Sequence, residues 1–256
     1  WLKRHEPAAF YCGLLNSQPM GFYSPSQLVQ DARRHDIEVR PVDILISEWE
    51  STLEAPAYQG EIAAKQPAVR LGFQRIKGFK ADSADRVIHA RNYHPIQSIK
   101  DIAKRARLDK GDLARLTEGG AFKSLSGHRY QTHWQVSGLL PPSPLLDKEL
   151  NVAEPNQQYA PQKHQEETPV VLPPPLETDD LRADYTSIGL TLGRHPMALL
   201  REKPNAPFRQ CKTAVELRAL NHGRFVQVSG IVTGRQRPSS ASGVLFLTLE
   251  DETDNI

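Results

Sequence analysis

The stretch LGFQRIKGFKADSADRVIHAR, residues 71–91, decides the fold of the central part of this chain. Its pattern predicts two helices joined by a tight hairpin at Ile76-Lys77-Gly78-Phe79, with Asp82 as the N-cap of the second helix. Glycine permits backbone angles that other residues avoid and lets the backbone approach a ligand closely. The N–H groups of such a turn can then face an oxyanion. The basic residues around it are Arg75, Lys77, Lys80 and Arg86.

The charge distribution points to a polyanionic partner for this region. Residues 65–135 contain 15 Lys and Arg against 6 Asp and Glu, a local net of +9, whereas the whole chain nets only +2. A second glycine turn at Gly119-Gly120, within LDKGDLARLTEGGAF, indicates a repeat of the hairpin. A plain helical turn with a solvated basic face is the alternative for one hairpin alone. The basic block and the repeat favour phosphate binding, which reads the nucleic-acid backbone and not the bases.

The pattern along the chain predicts an α+β protein of several domains, mainly helical over its N-terminal two-thirds. Pro7 suits a first helical position, and Ser24, Pro25 and Gln27 predict a capping box at the start of a later helix. Nine prolines between residues 141 and 175 indicate a linker. The expected segments are 1–64 (helical with a short strand near 36–46), 65–140 (hairpins), 141–184 (proline-rich acidic linker), 185–208 (helical connector) and 209–256 (strand-rich).

The last segment predicts a short helix in KTAVELRAL and two alternating strands in RFVQVSGIVTGRQR and GVLFLTLEDE. Two strands cannot close a sheet, so we interpret them as the start of an all-β oligonucleotide-binding barrel. Such barrels bind single strands through basic and aromatic side chains. In the alternative, the phenylalanines are core residues and the arginines ordinary surface charge. The candidates are Arg224, Phe225, Arg235, Arg237 and Phe246.

Several function classes are disfavoured. Cys12 and Cys211 have no metal-ligand spacing and suit two reduced thiols in a cytosolic protein. The longest apolar run, residues 8–15, is far short of the roughly 20 residues needed to span a bilayer. No Walker loop, GxSxG or paired-carboxylate motif occurs, and the acidic residues 251–254 suit a solvated turn better than a metal site. Because the chain starts at Trp1 and ends inside a strand pattern, we expect a fragment of a longer protein.

A resemblance is carried by LLNSQPMGFYSPSQLVQDARRHDIEVRPVDI, residues 14–44. This segment resembles the end of the fingers region of bacterial C-family DNA polymerases. Its LNSQPMGFY and DARRH are similar to the error-prone branch more than to the replicative polymerase III alpha branch. The order that follows fits as well: LGFQRIKGF, GGAFKSL at 119–125, the proline-rich linker, YTSIGLTLGRHPMALLR at 185–201, SGIVTGRQRP and TLEDETDNI.

The resemblance implies that residues 1–64 end a fingers region, that 65–140 form a tandem helix-hairpin-helix domain on the product duplex, and that 209–256 start a barrel near the template strand. Ile76, Gly78 and Phe79 match the first hairpin, but Lys80 stands where a second glycine is usual. In the second hairpin Leu116, Gly120, Ala121 and Phe122 match, and Gly119 replaces the usual alanine. The implied DNA-binding positions are Arg75, Lys77, Gly78, Phe79, Lys80, Arg86, Gly119, Gly120, Lys123, Arg224, Arg235 and Arg237.

For the parent protein the resemblance implies a DNA-directed DNA polymerase that performs error-prone, damage-tolerant synthesis in the cytoplasm. Its dNTP chemistry would use Mg²⁺ on palm carboxylates upstream of Trp1, so we expect no cofactor and no catalytic residue in this fragment. A sliding clamp and mutagenesis accessory proteins are candidate partners, and Pro144-Leu145-Leu146 weakly resembles a clamp-binding peptide. No membrane partner is expected.

Two alternatives remain open from the sequence. In the first, the hairpins and barrel form a non-enzymatic DNA-binding module of a repair or recombination protein. In the second, the barrel and linker form a protein–protein adaptor, which predicts no salt-dependent DNA binding.

Overall fold

The computed structural model describes residues 1–21, 23–56, 58–59, 62–63, 66–139, 170–240 and 243–256. It contains two compact units, Trp1–Leu190 and Thr191–Ile256. The first is mostly helical with short strands, and the second combines short helices with a two-stranded sheet. The mixed, mainly helical fold class is therefore confirmed.

The first unit begins with three helices, whose starts follow from local sequence. Helix α1 spans Leu2–His5, α2 spans Pro7–Asn16 and α3 spans Pro25–Arg34. The predicted capping box is present at α3, where the Ser24 side chain accepts from the Gln27 N–H. The apolar stripe of α3 is buried.

A small mixed sheet follows. It has the order β1-β5-β2, with β1 at Val39–Arg40, β2 at Thr52–Glu54 and β5 at Ala68–Arg70. Strand β5 pairs parallel to β1 and antiparallel to β2. The extended segment predicted near residues 36–46 is much shorter than expected, since β1 has only two residues before Pro41, which has no N–H for a ladder. Tyr58–Gln59 (β3) and Ile62–Ala63 (β4) form a separate antiparallel pair.

The basic block folds into helices around the two glycine turns. They are α4 at Ala81–Tyr93, α5 at Ile99–Arg105, α6 at Lys110–Glu118, α7 at Lys123–Ser126 and α8 at Arg129–Ser137. The backbone is left-handed at both turns, with φ of 73° at Gly78 and 71° at Gly120.

The first hairpin differs from the prediction in its leading helix, which is a single 3-10 turn at Phe73–Arg75. Tertiary contacts explain the difference. The Phe73 and Gln74 N–H groups donate to the carbonyls of Glu48 and Trp49 at 2.9 and 3.0 Å. Donors committed to a neighbouring segment cannot continue an α-helix.

The predicted N-cap of α4 was also wrong. Lys80 is the N-cap, without a side-chain cap bond, and Asp82 lies inside the first turn. A carboxylate in the first turn still interacts favourably with the helix dipole. Asp82 therefore supports the same helix from a different position.

Helix α9, Glu177–Ser187, follows the residues assigned to the linker. Eight of its residues, 177–184, lie in the segment predicted as proline-rich linker, whereas the structure forms a helix that belongs to the first unit. Residues 141–169 of that segment, including Pro144-Leu145-Leu146, lie outside the described residues. No helix in the described part of the chain is long and apolar enough to cross a membrane.

The second unit contains α10 at Pro196–Glu202, a 3-10 turn at Pro207–Gln210, α11 at Ala214–Arg218, and strands β6 at Ile231–Gln236 and β7 at Phe246–Glu250. The predicted short helix and two strands are confirmed. The strands pair antiparallel, with an irregularity between Val232 and Gly234.

Candidate nucleic-acid interface

The first glycine turn presents its backbone on the surface over a buried apolar base. Ile76 and Phe79 are buried, and the Phe79 ring lies 5.7 Å from the Phe73 ring. Gly78 and Lys80 are exposed. Phe79 therefore supports the turn from the core.

Lys80 departs from the hairpin pattern without a backbone penalty. Its φ of −98° and ψ of 145° are ordinary extended values that any residue adopts. A glycine is therefore not required at this position. The substitution places a flexible ammonium at the start of α4.

Arg115 lies against the first turn, although it comes from helix α6 of the second hairpin. A Cβ built on Gly78 would lie 3.1 Å from Arg115 Nε. The Arg115 side chain is 41% exposed and its Nη1 lies 3.8 Å from Asp112 Oδ1. This arginine was missed as a site residue, because its spacing in sequence indicates only a polar helix face.

The two glycines of the second turn have different roles. Gly120 has the left-handed backbone that glycine favours. Gly119 has an ordinary φ of −69°, but a Cβ on it would lie 2.9 Å from the Ile76 side chain. Close packing of the two hairpins explains the glycine where the family pattern has alanine.

Acidic residues of α9 form ion pairs with the cations near the second turn. Arg129 is buried and pairs with Asp180 and Asp184, and its Nε donates to the Glu118 carbonyl at 3.0 Å. Lys123 Nζ lies 3.5 Å from Asp180 Oδ2. The acidic residues of α9 had no assigned role in the sequence, because the pairing residues are more than 50 positions apart.

Lys77, another predicted site residue near the first turn, is hydrogen-bonded to α9. Its N–H donates to the Ser187 carbonyl at 2.8 Å, and its Nζ donates to the Tyr185 carbonyl at 3.2 Å. The Lys77 side chain is exposed but already has a hydrogen-bond acceptor. It is therefore a less direct candidate for a phosphate contact than Lys80.

Arg75 is partly buried, whereas the Arg86 side chain is 41% exposed but makes hydrogen bonds within the protein. Arg75 Nε is buried without a hydrogen bond in the described chain, and this burial lowers the pKa of the Arg75 guanidinium. Arg86 Nε donates to the Ala106 carbonyl at 2.8 Å and its Nη2 to Ser83 Oγ at 3.1 Å. Arg86 thereby joins α4 to the turn before α6.

The predicted candidates of the second unit are all on its surface. Arg224, Arg235 and Arg237 are exposed. Phe225 is fully exposed and Phe246 is 56% exposed, so neither side chain is in the core of the described second unit. Exposed aromatic and basic side chains near strands suit base stacking, as the barrel hypothesis requires.

The acidic end of the second unit forms a hydrogen-bonded turn. Buried Asp251 accepts from the N–H groups of Ala214, Thr253 and Asp254 at 2.7, 2.7 and 3.0 Å. Burial alone would raise the pKa of Asp251, but these bonds and one from the Thr253 hydroxyl hold it below its usual value. Within the described residues, no group of three or more His, Cys, Asp or Glu is placed to hold a metal ion.

The sequence around the two turns matches a known motif. Residues 36–132 match the family model described as a helix-hairpin-helix motif, which spans both glycine turns. A protein of Pseudomonas fluorescens strain Pf-5 named error-prone DNA polymerase is 48% identical over 100% of this chain and 24% of its own length. The chain is similar over its whole length to error-prone DNA polymerases. The family resemblance drawn from the sequence is thus confirmed.

Other error-prone DNA polymerases give the same result. That of Teredinibacter turnerae is 49% identical over 100% of this chain and 23% of its own length. That of Pseudomonas aeruginosa is 45% identical over 98% of this chain and 22% of its own length. The chain therefore spans about a quarter of the length of the error-prone DNA polymerases it matches.

Proposed function

We propose that this chain is the part of an error-prone DNA polymerase that holds DNA through its phosphate backbone, without sequence preference. The observation that carries the proposal is the exposed Gly78 turn, with Lys80 and Arg115 beside it, inside a block of net charge +9. Contacts to phosphates position a protein on DNA but carry no direct sequence information. A polymerase that moves along any template needs that kind of contact.

The proposed activity of the whole protein is DNA-directed DNA synthesis from dNTPs, in a damage-tolerant mode, in the bacterial cytoplasm. Mg²⁺ would serve that chemistry on carboxylates of a palm domain. We assign no catalytic step to the residues of this chain. Sliding clamps and mutagenesis accessory proteins are the proposed protein partners.

The second unit is proposed to start an oligonucleotide-binding barrel near the template strand. Strands β6 and β7 pair antiparallel, with Arg235 opposite Leu247 and Gln236 opposite Phe246. Because successive strand residues face opposite sides of a sheet, Arg235 and Phe246 lie on opposite faces of this hairpin, and both are exposed. A single strand is bound by aromatic groups on which its bases stack or by cations that neutralise its phosphates, so each side chain is a candidate contact on its own face.

The DNA-holding proposal is tested by equilibrium binding of duplexes of several unrelated sequences to the chain at 50–200 mM salt. If about 4 phosphates are neutralised, the slope of log affinity against log salt is about −3.6, from about −0.9 per phosphate. Lys80→Glu is expected to weaken all duplexes alike. A flat salt response, or a loss confined to one sequence, would contradict the proposal.

The polymerase proposal is tested on the full-length gene product in primer extension past an abasic template site. We expect Mg²⁺-dependent extension. A gene without paired palm carboxylates ahead of this segment would leave a non-enzymatic DNA-binding module instead.

A further inference from the structure

The two glycine turns share two features, although Gly78 is exposed and Gly120 is buried. Each glycine has a left-handed backbone, with φ of 73° at Gly78 and 71° at Gly120. Each is also faced by one guanidinium. A Cβ on Gly78 would lie 3.1 Å from Arg115 Nε, and a Cβ on Gly120 would lie 3.2 Å from Arg129 Nη2. A guanidinium presents several donors in a plane that matches carboxylate and phosphate oxygens.

At the second turn, carboxylates of α9 already bind the cations. Arg129 Nη1 donates to Asp180 Oδ1 and Nη2 donates to Asp184 Oδ1. Lys123, whose Cε would lie 3.5 Å from a Cβ on Gly120, places its Nζ 3.5 Å from Asp180 Oδ2. Both cations that face Gly120 therefore share Asp180. The Arg129 side chain is only 5% exposed, so this pairing is largely shielded from water.

At the first turn, the guanidinium is more open. Arg115 is 41% exposed, and its 3.8 Å separation from Asp112 is longer than a charge-assisted hydrogen bond of about 2.7–2.9 Å. Asp112 is buried and accepts from Ser83 Oγ at 2.9 Å, so it holds Arg115 from the protein side.

We propose that Asp180 fills the oxyanion site of the second turn from within the chain, so that the tandem presents one open phosphate site, formed by Gly78 and Arg115. The inference rests on the proposed DNA-holding function and assigns the open phosphate contact to the first hairpin. The Asp180 carboxylate is bound by the two cations that face Gly120, which indicates an oxyanion as the ligand class for the guanidinium that faces Gly78. The external ligand is a backbone phosphate of duplex DNA.

The first test removes the open site. Arg115→Ala is expected to make the salt slope of duplex binding less negative by about 0.9 and to lower affinity roughly tenfold at 50 mM salt. Lys100→Ala is the matched control, because it removes one exposed charge of the same block that is not among the side chains facing either glycine. The control should change the slope by clearly less. Should thermal unfolding show that Arg115→Ala does not fold, Arg115→Gln, which keeps most of the stem, replaces it.

The second test opens the filled site. Asp180→Asn is expected to tighten duplex binding and make the salt slope more negative by up to about 0.9, because the negative charge that Lys123 and Arg129 share is removed. Arg129 retains Asp184 and the Glu118 carbonyl in this variant. Asp179→Asn is the control, with the same charge change on the same helix but a contact to the Tyr130 hydroxyl at 3.1 Å instead.

The outcomes separate this inference from the broader function. Suppose that the unchanged chain binds duplexes with a steep salt slope and that Arg115→Ala gives the same slope and affinity. The proposed open site at Gly78 and Arg115 is then wrong, while the DNA-holding function stands. If Asp180→Asn and Asp179→Asn strengthen binding equally, net charge explains the effect and the filled site is wrong. A flat salt response of the unchanged chain would instead overturn the DNA-holding function itself.

Discussion

Gly119 and Ile76 bring the two hairpins into direct contact: a Cβ built on Gly119 would lie 2.9 Å from both Ile76 Cδ1 and Ile76 Cγ1. Ile76 is 2% exposed and sits in the packed base of the first turn, so it has little room to move. The relative placement of the two glycine turns thus depends on the absence of a side chain at Gly119.

Gly119→Ala is therefore expected to lower the free energy of unfolding by about 1–3 kcal/mol, the usual cost of inserting a methyl group into a packed core. Chemical denaturation of the chain measures this change in the free energy of unfolding. Gly13→Ala serves as the control, because Gly13 lies inside α2 with no atom within 4 Å of an added Cβ. That control should stabilise the chain by about 0.5–1 kcal/mol. Equal effects of the two changes would refute the close contact.

Lys80→Gly restores the usual hairpin motif but is expected to weaken the protein. The Lys80 backbone is extended at a φ of −98°, so a glycine gains nothing there and adds about 0.4–1 kcal/mol of unfolded-state entropy. Lys80→Ala separates backbone from charge, since it should keep stability while losing the same DNA affinity as Lys80→Gly. Greater stability of the glycine variant would show that the turn requires a left-handed residue at position 80.

The free energy of unfolding should depend on pH through the ionisation of Glu54. Hydrogen bonds from Arg70, against the opposing effect of burial, and from Arg40 hold the pKa of Glu54 below its usual value. A depressed carboxyl pKa stabilises the fold above the unfolded value of about 4.3, and that contribution is lost as pH falls through the folded value. Glu54→Gln should cost about 1.5–3 kcal/mol at neutral pH, the usual contribution of a hydrogen bond to a charged group, since it removes the carboxylate that accepts from Arg70.

The measurement for Glu54 is urea unfolding of both proteins between pH 7 and pH 3. The stability difference should shrink steadily below about pH 4.3. Glu38→Gln is the control, since Glu38 also pairs with Arg40 but is exposed. A difference that stays constant with pH would mean that the Glu54 charge contributes nothing.

Asp251 should matter for the second unit in a different way. Asp251→Ala removes the acceptor of the Ala214, Thr253 and Asp254 N–H groups. Each buried donor left without an acceptor costs about 1–3 kcal/mol. In this variant, amide hydrogen exchange should become faster in Thr191–Ile256 and should change little in Trp1–Leu190. Uniformly faster exchange would argue against a local role.

Much of the local structure could be predicted from sequence because it depends on neighbouring residues. Ser24 and Gln27 form the predicted capping box, and Gly78 and Gly120 have the left-handed backbone that the hairpin pattern requires. The two strands of the second unit also follow from alternation. In each case the determining interactions lie within a few residues, where side-chain type and backbone preference decide the result.

The site could be predicted only in part. Lys80 and Gly78 are at the surface as expected, whereas Gly119 and Gly120 are buried. Phe79 is buried, and Arg86 joins two elements through the Ala106 carbonyl. Basic residues in a sequence are equally compatible with solvent, a phosphate or an internal acceptor. Arg115 was missed because it approaches Gly78 from another hairpin.

The sequence by itself determined the family resemblance, the start of α3 and the left-handed backbone at the two glycine turns. Local backbone preferences and short-range hydrogen bonds specify the last two. Only the tertiary structure decided how the turns differ. Arg129 meets Asp180 across 51 residues of sequence, and Arg115 meets Gly78 across 37. Such encounters depend on how α6, α8 and α9 pack, since a charge binds whichever opposite charge the fold brings within a few ångströms.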